Sequence, residues 1–385
     1  LFMTLATITL LACNNAKTGK QARENGAVFY TEFDTPFGMP PFDQISFSDF
    51  KPAFLKGMEE EANEIDSIAN NVEPPTFENT IAALDNSGRL LNRVSRVFYG
   101  LKGAETNDSI QALAEELSPL MSEHRDNINF NDKLFARIKM LHDDTTGTNL
   151  TTEQYRLLDN HYKKFVRAGS MLGETEKNRL REINKELSSL TLKFGNNLLK
   201  ETNGFKLIID NREDLAGLPE GVIAAAAETA KNEGQEGKWV FTLQKPSWLP
   251  FLQYSEKREL REKLYKAMFN RGDNDNENDN KKIINDIVNL RIEKAQMLGY
   301  KTHADFILDE NMAKTPENVY KLLNDVWKYA LPQAKKEAAE LQAMVDAEGR
   351  NFKIKSWDWW YYTEKLRQQK YALNEEEIKP YFKME

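Results

Sequence analysis

ETEKNRLREINKELSSLTLKFGNNLLKETN, residues 174–203, decides the fold class. Leu180, Ile183, Leu187, Leu190, Phe194 and Leu198 return at steps of three and four, so one apolar stripe runs along a helix of roughly eight turns. Such a stripe faces a core. The rest of the chain has the same bias: 385 residues hold only 19 glycines and 13 prolines, while Leu, Ala, Glu and Lys recur. That balance disfavours a turn-rich sandwich and predicts a mostly α protein. At 40% hydrophobic residues the chain can bury a substantial core. A net charge of −8 and a pI near 5.4 leave no basic excess to neutralise phosphates, which argues against nucleic acid as a partner.

Helix boundaries carry their own signals. Thr151 and Gln154 have capping-box spacing, and Thr315 followed by Pro316 places a cap and a preset φ at a helix start. Gly299 can end one helix, and Thr302 with Asp305 can begin the next. The runs FKLII (205–209) and WVFTL (239–243) are β-branched and aromatic, and alanine-rich GVIAAAAETAK lies between them. They predict a small β element near 205–243 with an intervening helix, of undecided strand direction.

Sequence spacing gives no catalytic centre. GDNDNENDN (272–280) starts like a calcium loop with Asp273, Asp275 and Glu277 at alternate positions, but Asn278 replaces the required glycine and Ile284 occupies the twelfth position. It reads as a solvated cap before a helix over 281–298. His124, His142, His161 and His303 are far apart and none opens an HExxH pair, so no zinc site is nominated. No GxSxG elbow, GxxxxGK[ST] loop or CxxC pair occurs.

The single cysteine, Cys13, ends the uncharged run LFMTLATITLLAC, which is too short to span a bilayer but suits a signal h-region. LLAC (10–13) resembles a bacterial lipobox, whose cysteine is acylated and becomes the mature N-terminus. Because the first positive charge is Lys17, an earlier start with a basic n-region is expected. The reading is therefore a partial lipoprotein signal segment over 1–13, a polar tether over 14–32, and a helical region over 33–385. It makes the protein exported and membrane-anchored through Cys13, facing the periplasm.

Four stretches in order, YTEFDTPFGMPPFDQI (30–45), PTFENTIAALDNSGRLLNRVSRVF (75–98), LRIEKAQMLGYKTHADFILDENMAKTPENV (290–319) and WDWWYYTEKLRQQKYALNEEEIKPYF (357–382), resemble the thimet oligopeptidase family of zinc metallopeptidases, above all its bacterial peptidyl-dipeptidase branch. The resemblance implies an almost entirely helical protein whose channel admits short peptides. It also implies that HExxH and a further glutamate follow the segment resembling KPYFKME (379–385). Metal ligands, general base and transition-state His and Tyr are thus expected beyond Glu385, and no catalytic or metal residue is assigned here. Zinc is expected in the complete enzyme and not on this chain by itself, which would be inactive alone.

SWDWWYYTEKLR (356–367) concentrates three of the six tryptophans. If Ser356 caps a helix, Trp357, Trp360, Tyr361 and Glu364 share one face while Trp359 and Tyr362 point elsewhere. The helix then buries aromatics on two sides. Trp357, Trp359, Trp360, Tyr361 and Tyr362 are the candidate channel or lobe-interface residues, part of them expected to look toward a catalytic lobe. The resulting reading is the N-terminal part of a zinc-dependent peptidyl-dipeptidase or oligopeptidase; the alternative is a non-catalytic helical peptide-binding or scaffold protein.

Overall fold

The computed structural model describes residues 23–144, 149–372, 378 and 381–382, so Cys13 and the expected leader lie outside the described residues. The protein is mostly helical, and the described strands form one two-stranded sheet. Contacts divide the region read as one helical stretch into two compact units. One comprises the described residues through Leu117 with His124–Ser170, and the other Ser118–Glu123 with residues from Met171 onward.

The first unit is built on α1 (Phe47–Ala69), α2 (Arg89–Ala104), most of α3 (Asp108–Asn129), α4 (Asp132–Asp143) and α5 (Thr152–Ala168). Asp49, buried in the first turn of α1, accepts the Gly26 and Ser46 N–H groups at 2.8 Å each and Arg23 Nη2 at 2.8 Å. This fixes the chain from Arg23 on and seats Phe29, 0% exposed, against Phe50 in an aromatic cluster with Phe54 and Phe98. The polar tether expected over 14–32 is therefore corrected for residues 23–32, which belong to the folded unit: a carboxylate at a helix N-terminus collects their donors. A second cluster joins Ile65, Ile68, Leu134, Ile138, Leu158 and Phe165. The expected capping box at α5 is present, with Gln154 N donating to Thr151 Oγ1 at 3.3 Å and Thr151 N to Gln154 Oε1 at 2.9 Å.

The second unit contains α6 (Glu174–Gly204), β1 (Leu207–Ile209), α7 (Glu220–Asn232), β2 (Trp239–Phe241), α8 (Lys245–Tyr254), α9 (Arg258–Phe269), α10 (Lys281–Met297), α11 (His303–Leu308), α12 (Pro316–Ala347) and α13 (Ser356–Tyr371). The stripe of α6 is buried at Leu180 and Ile183 and half-buried from Leu187 to Leu198. Its partner α10 holds it partly by polar contacts: Arg179 grips Glu293 at 2.6 and 2.9 Å, and Asn197 Nδ2 donates to Asn280 Oδ1 at 2.9 Å. The strands are antiparallel, pairing Leu207 with Phe241 and Ile209 with Trp239, and α7 packs on β2. Gly299, at φ 84°, follows α10 in the left-handed conformation that ends it, and Tyr300 N donates back to Ala295 O at 2.9 Å. Thr302 with Asp305, and Thr315 before Pro316, cap α11 and α12 as their spacing predicts.

Two helix-interior glycines should respond to alanine with opposite signs. A Cβ on Gly57 of α1 would lie 2.9 Å from Leu91 Cα of α2, whereas one on Gly100 meets nothing within 4 Å. Gly57→Ala is expected to cost about 1–3 kcal/mol by forcing packed helices apart, and Gly100→Ala to add about 0.5–1 kcal/mol. Urea midpoints check both.

Candidate functional site

The aromatic run is positioned by a buried charge. Asp358, 0% exposed, accepts Arg258 Nε and Nη2 at 3.0 and 2.9 Å and Arg261 Nη2 at 2.9 Å. It also accepts the Lys355 N–H at 3.0 Å, so the cap of α13 is made by Asp358 on Lys355. This corrects Ser356 as the cap: it is the first helical residue. Arg261, 1% exposed, further donates to Ser255 O at 2.7 Å and lies 4.2 Å from the Tyr361 ring centroid. Burial pulls its guanidinium below the ordinary value, and Asp358 acts against that shift.

Around this anchor α13 buries aromatics on two sides. On the α8 and α9 side, Trp360 stands 5.8 Å from Trp248 and 5.9 Å from Tyr265, and Tyr265 stacks on Phe269 at 4.3 Å and meets Trp357 at 6.2 Å. On the α12 side, Tyr361, Tyr362 and Trp359 pack with Leu341 and Val345. Tyr362 donates its hydroxyl to Glu348 at 3.0 Å; burial and then that bond raise its pKa. Tyr361 and Tyr362 are thus core residues, Trp359 is half-buried on the α12 side, and Trp357 and Trp360 are half-buried on the side that carries an exposed Phe269. Trp357 Nε1 is buried and has no hydrogen-bond partner. This half-buried aromatic face can take apolar or aromatic side chains.

The acidic loop before α10 is filled from within. Lys281 Nζ lies 2.8 Å from Asp273, 2.9 Å from Asp275 and 2.5 Å from Asp279, which raises the lysine's pKa. Glu201 of α6 accepts Gly272 N, Asn274 Nδ2 and Asn276 Nδ2 at 2.6–2.9 Å. A hollow of about 420 Å³ between Glu201, Phe205, Ala267 and Asn278 therefore has several of its amide donors already engaged. In the first unit, a hollow of about 660 Å³ is lined by Phe42, Ile45, Phe47, Phe50, Leu101 and Ile110. The segment supplying Phe42 also holds Phe37 fully exposed at φ 59°.

The histidines are separately engaged: His124 Nε2 with Glu61 at 2.7 Å, His161 Nε2 with Asp85 at 3.3 Å, and His142 stacked on Tyr162 at 3.7 Å. His303 opens α11 with its Nδ1 buried and without a hydrogen-bond partner; burial, then Arg291 and Lys294, lower its pKa. Among the described residues no three His, Cys, Asp or Glu side chains converge as a metal ion would need. These residues therefore do not fit the zinc that the family resemblance implies, and no metal step is derived from them.

Sequence reasoning missed two features. Arg258 and Arg261, three apart in RELR, are the counter-charges of Asp358; the signal was an acid embedded in an aromatic run. The other is the first half of α12, where Tyr320, Leu322, Leu323, Val326, Trp327 and Tyr329 are exposed. Uncovered apolar surface thus lies on α12 as well. The recurrence of Tyr320, Leu323 and Trp327 at helical spacing was its signal.

Residues 251–385 match the model of peptidase family M3. The chain is 35% identical to the dipeptidyl carboxypeptidase of Escherichia coli K12 over 356 residues, which are 92% of this chain and 52% of that protein. It is 33% identical to oligopeptidase A of Haemophilus influenzae over 349 residues, 90% of this chain and 51% of that protein. Saccharolysin of Saccharomyces cerevisiae is 26% identical over 330 residues, with 83% and 44% covered. The chain thus spans about half the length of the curated relatives it matches. Fold and similarity define the class, a helix-built relative of oligopeptidases. The chain belongs to peptidase family M3, the thimet oligopeptidase family, in its peptidyl-dipeptidase branch.

Removing Asp358 leaves a buried guanidinium without its counter-charge. Asp358→Ala should destabilise the second unit by roughly 3–5 kcal/mol, and adding Arg261→Met should recover part of that loss. Denaturant unfolding of the single and double variants measures it; equal stability of Asp358→Ala and the parent would contradict the anchor. Lys281→Gln should lower the melting temperature at low ionic strength. The deficit should shrink in about 1 M NaCl, where the screening length falls to about 3 Å.

Proposed function

We propose that this chain supplies the helical frame of an exported, zinc-dependent peptidase that hydrolyses short peptides, of peptidyl-dipeptidase type. The observation that carries the reading is the 92% coverage of this chain at 35% identity to a dipeptidyl carboxypeptidase. Zinc, when bound in such an enzyme, polarises the scissile carbonyl and a water; no residue of this chain is assigned to that chemistry. The role of the residues described is to hold helices and an aromatic face in place around a peptide channel completed by a catalytic lobe, with burial of Asp358 and Arg261 keeping that face rigid. The apolar run ending at Cys13 supports a lipid anchor and a periplasmic location.

The purified chain is expected to bind no stoichiometric zinc and to cleave no short peptide. Combined with the half of an M3 relative that it does not span, it is expected to release C-terminal dipeptides from a short peptide, and a chelator should stop this. Cleavage by the chain alone, or none by a one-to-one complex, contradicts the reading. Separately, Cys13→Ala, compared with the parent when both are expressed behind the same basic signal start, should move the protein from the membrane fraction to the soluble one. Unchanged partitioning with the same N-terminus contradicts the anchor.

A further inference from the structure

Helix α12 is two different objects along its length. Its C-terminal half is packed: Leu341 and Val345 are buried against α13, and Gln342 exchanges hydrogen bonds with Phe352 O and Ile354 N at 3.0 and 2.9 Å. Its N-terminal half is not. Every residue from 321 to 330 is exposed, including Trp327 at 61% and Tyr329 at 72%. Yet this half is strongly two-faced. At helical spacing Tyr320, Leu322, Leu323, Val326, Trp327 and Tyr329 spread over about half of the circumference, while Lys321, Asn324, Asp325 and Lys328 occupy the other half.

An apolar band of this size on a single helix marks a covered surface. Its width discriminates between occupants. A seam between two helices needs only a narrow line of positions, whereas a band about half a turn wide is what a helix shows when it lies in a groove between several elements. A second copy offering one helix would leave part of the band bare. Polypeptide equivalent to the half of the M3 relatives that this chain does not span is large enough to supply several elements.

We infer that the face formed by Tyr320, Leu323, Val326 and Trp327 of α12 is the docking surface for that other half of an M3 chain; the inference rests on the proposed peptidase reading and locates its interface. Packing there also joins the half-free end of α12 to the anchored α13, so docking orders the helix that leads into the aromatic face.

The test places a reporter on each side of the helix in a Cys13→Ala background, Leu323→Cys on the apolar face and Lys321→Cys on the polar one. In the chain alone both should react with a small maleimide at the rate of an exposed thiol. After addition of the unspanned half of the Escherichia coli relative, Cys-substituted position 323 should be protected at least tenfold in a one-to-one complex, and position 321 should keep reacting. Protection of position 323 in the chain alone, rising with its concentration and accompanied by dimer mass in light scattering, would assign the face to a second copy and overturn the proposal. So would the absence of a complex, or a complex in which position 323 reacts as before. Peptide cleavage is read in the same mixture: a protected but inactive complex counts against the peptidase reading alone, and an active complex with position 323 unprotected counts against the docking face alone.

Discussion

The second unit depends on one buried carboxylate. Asp358 sits within α13 and receives two guanidinium groups from α9 and the N–H that begins its own helix. Three constraints meet there: the start of α13, its rotation about its axis, and its distance from α9. A buried charge with one partner removed costs several kcal/mol, so the arrangement tolerates little movement. With rotation fixed, Trp360 must face Trp248 and Tyr265, and Tyr362 must face Glu348 and α12. The aromatic surface is a consequence of the charge network.

The same logic operates at the start of the first unit. Asp49 gathers Gly26, Ser46 and Arg23, and by doing so draws Phe29 into contact with Phe50. In both places a short polar side chain in the first turn of a helix recruits donors from a neighbouring segment. Apolar packing then follows from where those donors are held.

Helix content, the capping boxes at Thr151 and Thr302, the end at Gly299 and the two short strands were legible because each depends on a local pattern. The α6 stripe was legible as well, although its burial along the helix was not: Leu187 to Leu198 are only half-buried, while Asn196 and Asn197 are buried, Asn197 bonded to Asn280 just before α10. Long-range pairing was the illegible part. Nothing in the run WDWWYY tells which residues 100 positions away carry the matching charge, so a dense aromatic segment reads as surface seeking a partner. The Arg258 and Arg261 pairing makes core of Tyr361 and Tyr362 and leaves Trp357, Trp359 and Trp360 half-buried. In α12 only the Thr315–Pro316 start was read; the amphipathic pattern that follows it went unread, and its first half is bare.

Hydrogen exchange read by mass spectrometry on the chain alone tests this division most directly. The account predicts that amides in α9 and α13, on both sides of Asp358, open only with unfolding of the unit. Amides over residues 320–330 of α12 should exchange much faster, although they are equally helical, because no side-chain packing holds them. Equal protection of 320–330 and α13 in a monomeric chain would contradict it, since the apolar face of α12 would then be covered within the chain itself.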